Sequence, residues 1–367
     1  MKICFFCIGS GETSQAVAVC KVARAKGHNC VLIATNESGS TYAKSSGIET
    51  VEYLKWPIRV GKKDVGYNPN EVKEIIEQSA SDVLVICNSK ATSWGFITKR
   101  PNTKKIYSID SNWLFSQYKD VQVADWIDTY FVTFPERVFQ SGLVGNGGPY
   151  TISKKILEKI RPVGFVPSVK KISESEKEEV RTRYGLKHGE KLVFMYCGWD
   201  EEYTQKLIVQ YAKAIKGINR KRCYEKMKIV YAGKIDFKLD DAYCDNNYLK
   251  NPSNFQLVLS ASDLVVAHQG MITLSQSIGA TVPIISNVPG KGKYYSGEYH
   301  ASYYETKILS SLNLCVALER FQSDEVIGNT VKKILFKKEE RAKIVNAQNG
   351  MNALAEENII NHIENNL

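Results

Sequence analysis

Two short stretches of this chain combine residues that could do chemistry. In the first, Gly9-Ser10-Gly11-Glu12-Thr13 joins an apolar run to a helical pattern. Glycines at such a turn let a ligand approach the backbone closely. A carboxylate in the first turn of a helix is stabilised by the dipole, so Glu12 could stay ionised and accept a proton. It could equally serve to cap its own helix. In the second stretch, His268-Gln269-Gly270-Met271-Ile272-Thr273 leaves the apolar run 264–267 and enters another helix. The first N–H groups of a helix have no partner of their own, so strand, glycine turn and helix start together form an anion site suited to a nucleotide diphosphate. Gly270, Met271, Ile272 and Thr273 would present those donors. His268 could bond a phosphate or sugar oxygen, and more strongly if protonated. Gln276 lies three residues past Thr273 on the same helix face, where its amide could bridge vicinal hydroxyls.

A third stretch, Tyr196-Cys197-Gly198-Trp199-Asp200, occupies the equivalent strand-to-turn position of the second half. Gly198 allows close approach, and Trp199 offers a face either to a ring or to interdomain packing. Other chemistries are argued against. A dinucleotide fingerprint needs a third glycine near Ser14 and an acidic residue closing the second strand, where Ala34-Thr35-Asn36 stands instead. No nicotinamide or flavin cofactor is therefore expected. Cys4 and Cys7 form a C-x-x-C within a strand, and positions three apart on a strand face opposite sides. Core packing is the better reading there, and no metal site is expected.

The elements that must position these residues alternate. Strands are expected at 2–8, 29–34, 48–53, 82–86, 105–109 and 129–133, with helices at 13–26 and 70–79. The segment 161–167 carries two prolines and a glycine without periodicity, which suits a linker. Beyond it comes a charged helix (173–183), and then alternation restarts: strand 191–196, helix 202–218, strand 226–231, strand 264–267, and an apolar strand entered through Pro283. The segment 338–367 is helical and polar. Two α/β halves with parallel sheets follow, Rossmann-like domains facing a central cleft. The expected bounds are 1–164, 165–345 and a C-terminal helix, 346–367, packing back on the first domain.

At 367 residues the chain suits two domains, and 43% hydrophobic with 24% charged residues is the balance of a globular protein. Nine scattered cysteines fit a reducing, cytoplasmic compartment. No apolar run reaches the ~20 residues of a membrane span. A net charge of +10 favours anionic partners. Two basic-aromatic clusters, Lys55-Trp56-Pro57-Ile58-Arg59 with Lys62-Lys63 and Trp94-Gly95-Phe96-Ile97 with Lys99-Arg100, would suit the inner face of an anionic membrane if exposed. Core aromatics beneath an ordinary charged surface are the competing reading. No nucleic-acid recognition motif is present.

Residues 263–283 resemble the donor-site segment of glycosyltransferases with the GT-B fold. They are most similar to the group containing the bacterial peptidoglycan N-acetylglucosaminyltransferase and related UDP-sugar transferases. That family shows an Ala-Asp pair, then (Arg or His)-x-Gly-x-x-Thr-x-x-Glu, then Gly-x-Pro before a strand. The matching positions are Ser262-Asp263, His268, Gly270, Thr273, Gln276 and 279 through Pro283. The piece 22–34, with Gly27-His28, is similar to the family's first unit. Gln276 replaces the family's ribose-binding glutamate, and Glu12 stands where the first loop ends in histidine. Glu298 lies in the loop that holds donor sugar hydroxyls, and Phe255 falls near the base.

The resemblance implies inverting transfer of a sugar from a nucleotide-sugar donor, a UDP-sugar, to an acceptor hydroxyl, without metal or cofactor. The second domain would hold the donor through Gly198, Trp199, Phe255, 268–273, Gln276 and Glu298. The first would hold a sugar, lipid-linked or other small-molecule acceptor near Gly9, Ser10, Gly11 and Thr13. Glu12 would be the general base, with Asp110 as its substitute. A nucleotide-sugar 2-epimerase and a non-catalytic nucleotide-sugar-binding partner share this fold and are the alternatives.

Overall fold

A computed structural model describes residues 1–54, 68–93, 95–111, 125–136, 154–169, 171–196, 201–219, 227–232, 242–244, 252–268, 270–288, 298–351 and 355–367. The chain divides into two compact units. Met1–Ser168 and Ala353–Leu367 form the first, Val169–Asn352 the second.

Among the described residues, seven parallel strands build the first unit: β1 (Lys2–Cys7), β2 (Asn29–Ala34), β3 (Glu49–Glu52), β4 (Val83–Cys87), β5 (Lys105–Asp110), β6 (Thr129–Val132) and β7 (Ile160–Pro162). Their order is β3-β2-β1-β4-β5-β6-β7. Strands covered on both faces read as continuous apolar runs, and KICFFC and VLVIC do so. Cys7 joins Ile3 and Phe5 in one core cluster that does not include Cys4, as the two-residue strand period requires. Burial pushes the Cys4 thiol up to about 12. The helix Ser10–Ala25 covers this face together with the C-terminal helix Ala355–Asn365, which inserts Ile359, Ile360 and Ile363. Glu364 pairs with Lys26 and His28, each at 2.8 Å.

The expected linker at 161–167 begins instead as an edge strand. β7 pairs with β6 on one side, with Val132 opposite Pro162. An edge strand is where a residue without an N–H is tolerated. Gly164 then turns the chain with φ +94°. In the second basic-aromatic cluster, Phe96 and Ile97 are buried core residues, which removes them from any membrane-facing surface. The first cluster and Trp94 lie outside the described residues.

The second unit has six parallel strands: β8 (Lys191–Tyr196), β9 (Met227–Ala232), β10 (Ala242–Cys244), β11 (Leu264–His268), β12 (Ile284–Val288) and β13 (Val316–Glu319). Their order is β10-β9-β8-β11-β12-β13. The helix Glu174–Arg183 starts with a reciprocal Ser173–Glu176 capping box. Leu207, Ile208 and Tyr211 from the helix Glu201–Asn219 share one core with Ile327 and Val331 from Asp324–Phe336. The helical segment expected at 338–367 holds two helices, Lys338–Asn349 in this unit and Ala355–Asn365 in the other. Among the described residues no helix is long and apolar enough to cross a membrane.

Candidate functional site

In an open parallel sheet, ligands bind beyond the strand C-termini where the strand order reverses. That point lies between β1 and β4 in the first unit and between β8 and β11 in the second. Both stretches singled out for chemistry lie there.

In the first unit, Gly9 is the N-cap of its helix and contributes no side-chain cap. Its φ of −159° is ordinary extended backbone, so conformation does not demand glycine. The Glu12 carboxylate folds back over this residue, so a Cβ on Gly9 would displace it. The other Glu12 oxygen accepts a hydrogen bond from Asn88 Nδ2 at 3.3 Å. Asn88 follows β4, and Glu12 remains half-buried. The carboxylate lies beside its own helix start and beside Asn88, at the sheet edge where the strand order reverses.

Asp110, at the end of β5, is fully buried. It accepts from Ser89 N (2.8 Å), Ser89 Oγ (2.7 Å) and Ser108 Oγ (2.7 Å). Three donors and no exposure make it an anchor for the loop after β4, which argues against the substitute-base role. Thr13 is also buried, donating to Gly9 O at 2.8 Å and lying where a Cβ on Gly39 would come. It packs two helices together, and its hydroxyl is taken up by the Gly9 carbonyl. Ser10 stays half-buried and donates to Asn36 Oδ1 at 3.0 Å. Gly11 accepts from Ser14 Oγ at 2.7 Å.

In the second unit, β11 delivers His268 to the sheet edge, and the helix Met271–Gly279 starts on Gly270 without a side-chain cap. The first N–H groups of that helix are left for a ligand or water. Gly270 has φ −66°, open to any residue, but a Cβ there would lie 2.5 Å from His268 Nε2. The glycine thus makes room for the imidazole. Buried His268 Nδ1 makes no hydrogen bond of normal geometry among the described residues, and the ring stands edge-on to Tyr196 at 5.9 Å. Burial, then the nearby Arg320 charge, pushes its pKa down to about 4. His268 is therefore neutral near pH 7, so any bond it makes there is that of an uncharged imidazole. Met271, Thr273 and Gln276 are buried, so the turn offers backbone more than those side chains. Ile272 is half-buried.

Phe255 packs edge-on against Phe194 (5.3 Å) and Tyr196 (5.2 Å), which places it in an aromatic row ending at His268. Gly198, Trp199 and Gln269 lie outside the described residues. Glu298 opens the helix Glu298–Ser311.

Asp263, part of the family-like signature, sits at the opposite edge, where β11 begins. Its Oδ2 accepts from Arg181 Nη1 and Leu192 N, both at 2.9 Å. Burial pushes this carboxyl up, but the Leu192 N–H and Arg181 guanidinium outweigh it and hold the group below the usual carboxylate range. It positions the strand and does not meet a ligand. Sequence reasoning passed over Asn88, Ser89 and Arg320. The polar pair Asn88-Ser89 directly after VLVIC was the available signal for the first two.

No family model matches the sequence, and no curated relative matches it. Among solved structures, S. aureus MnaA, determined with UDP, aligns at TM-score 0.67 and 11% identity, covering 99% of this chain and 96% of that one. The spinosyn forosaminyltransferase SpnP aligns at 0.66 and 9%, covering 100% and 98%. A UDP-N-acetylglucosamine 2-epimerase-type protein of Listeria monocytogenes aligns at 0.64 and 12%, covering 99% and 95%. The chain has the α/β fold of GT-B glycosyltransferase-like proteins, with two parallel sheets flanked by helices.

Proposed function

We propose that this protein transfers a sugar from a UDP-sugar to an acceptor hydroxyl, with inversion and without a bound metal. The observation that carries the reading is the end of β11. A neutral imidazole, a glycine and an uncapped helix start lie together at the strand-order reversal of a Rossmann-like unit. The donor diphosphate rests on the N–H groups of 270–273, and the helix dipole stabilises it as it departs. The first unit holds the acceptor, a sugar or lipid-linked hydroxyl, and Glu12 takes its proton. Such a base contributes ~10²–10⁴-fold.

The test is turnover of UDP-sugars against an acceptor panel by wild type and Glu12→Gln. A loss of ~10²–10⁴-fold supports the assignment. Glu12→Gln at wild-type rate would sink it. Incubation with UDP-N-acetylglucosamine alone distinguishes a 2-epimerase, which forms the epimer without acceptor. A bound UDP-sugar with no turnover on any acceptor would mark a non-catalytic partner.

A further inference from the structure

We propose that Asn88 is a positioning residue that holds the Glu12 carboxylate in place for proton transfer; this rests on Glu12 being the base. Asn88 has φ +84°, a left-handed conformation that asparagine tolerates better than most side chains and glycine best of all. Its backbone is pinned twice, donating to Ile109 O at 2.8 Å and accepting from Ala91 N at 3.1 Å. The next residue is locked to Asp110 through both its N–H and its hydroxyl. From this rigid loop the Asn88 amide reaches Glu12 Oε1, on a different helix.

The second constraint is Gly9, whose missing Cβ leaves room for the other carboxylate oxygen. A flexible side chain thus has one oxygen held by an amide donor and the other lying in the space left by the missing Cβ of Gly9. A general base needs that fixity, because a misplacement of about 1 Å can cost ~10²-fold in rate. The Glu12–Asn88 bond is long at 3.3 Å, as such bonds often are before substrate binds. Glycine would satisfy the backbone at position 88, but only a side-chain donor meets the carboxylate.

The test reads the contact without needing turnover. In full-length protein labelled with ¹⁵N-asparagine, the Asn88 side-chain amide signal should move as pH is lowered from 7, and Glu12→Gln should abolish that movement. Two other groups lie close. Asp110 is linked to the loop through Ser89, and the Glu12→Gln control separates it. Cys87, adjacent in sequence and facing Glu12, has its thiol pushed well up by burial and stays protonated. With UDP-N-acetylglucosamine as probe donor, Asn88→Gly should lower kcat ~10- to 100-fold with KM changed less than about twofold. It should add nothing further in a Glu12→Gln background.

An Asn88 signal that ignores pH, or that moves equally in Glu12→Gln, overturns the proposal. So does Asn88→Gly at wild-type rate when Glu12→Gln is slow. Glu12→Gln at wild-type rate overturns the base assignment instead, and leaves the measured contact standing.

Discussion

Where β1 and β4 end, the first unit strings a carboxylate, an amide, a serine and a second carboxylate from Glu12 through Asn88 and Ser89 to Asp110. Where β8 and β11 end, the second unit offers a neutral imidazole, a glycine and a helix start with no side-chain cap. Strand order reverses in the same way at both places, so topology alone does not distinguish them. Chemistry does. Both helix starts follow a glycine without a side-chain cap, but one edge adds a half-buried carboxylate held by Asn88 and the other a neutral imidazole among buried side chains. An anion suits the second edge and a hydroxyl that must lose a proton suits the first.

The comparison can be broken first at the far end of β11. Removing Asp263 leaves the nearly buried Arg181 only the exposed Glu178 carboxylate and the Glu190 carbonyl, and losing one partner of a buried pair costs ~3–5 kcal/mol. Asp263→Ala should therefore lower the urea midpoint of the second unit strongly, while Asn88 keeps its signal in the first. An unchanged midpoint would mean that the ion pair does not hold the strand.

A somewhat smaller effect concerns His268. Its folded pKa is about 4 against 6.5 for the free side chain, so between those values the unfolded chain binds a proton that the folded one does not. The stability from burying neutral His268 is fully present above pH 6.5 and is lost as pH falls through about 4. The full difference is about 3 kcal/mol. His268→Phe should flatten the pH dependence of the urea midpoint by that amount. An equal slope in both proteins would show the imidazole to be accessible and protonated. The smallest effect expected is from metal removal: EDTA should leave turnover within about twofold, because the helix start is proposed to stabilise the diphosphate unaided. A collapse in rate would mean that the backbone donors are insufficient.

Much of the scaffold was legible in sequence because parallel strands buried on both faces announce themselves as short apolar runs. Runs such as KICFFC, LVVAH and VLVIC lie within one or two residues of their observed bounds. β7 and β10 escaped because three-residue edge strands carry too few positions for a pattern. The turn at Gly270 was legible because strand, glycine and helix are contiguous. The link from Glu12 to Asn88 was not, since it spans 76 positions and exists only once β1 and β4 are neighbours. The protonation state of His268 was equally hidden, because it follows from burial and from Arg320, which β13 brings to the same sheet edge.

The most direct test of the account is calorimetric titration of UDP into wild type and Gly270→Ala. The backbone at Gly270 accepts alanine, but the added methyl displaces the His268 ring. Wild type should bind one UDP, and the variant at least ~10-fold more weakly, about 1.4 kcal/mol. Wild-type protein that ignores UDP, or a variant with undiminished affinity, would contradict the placement of a nucleotide at the end of β11.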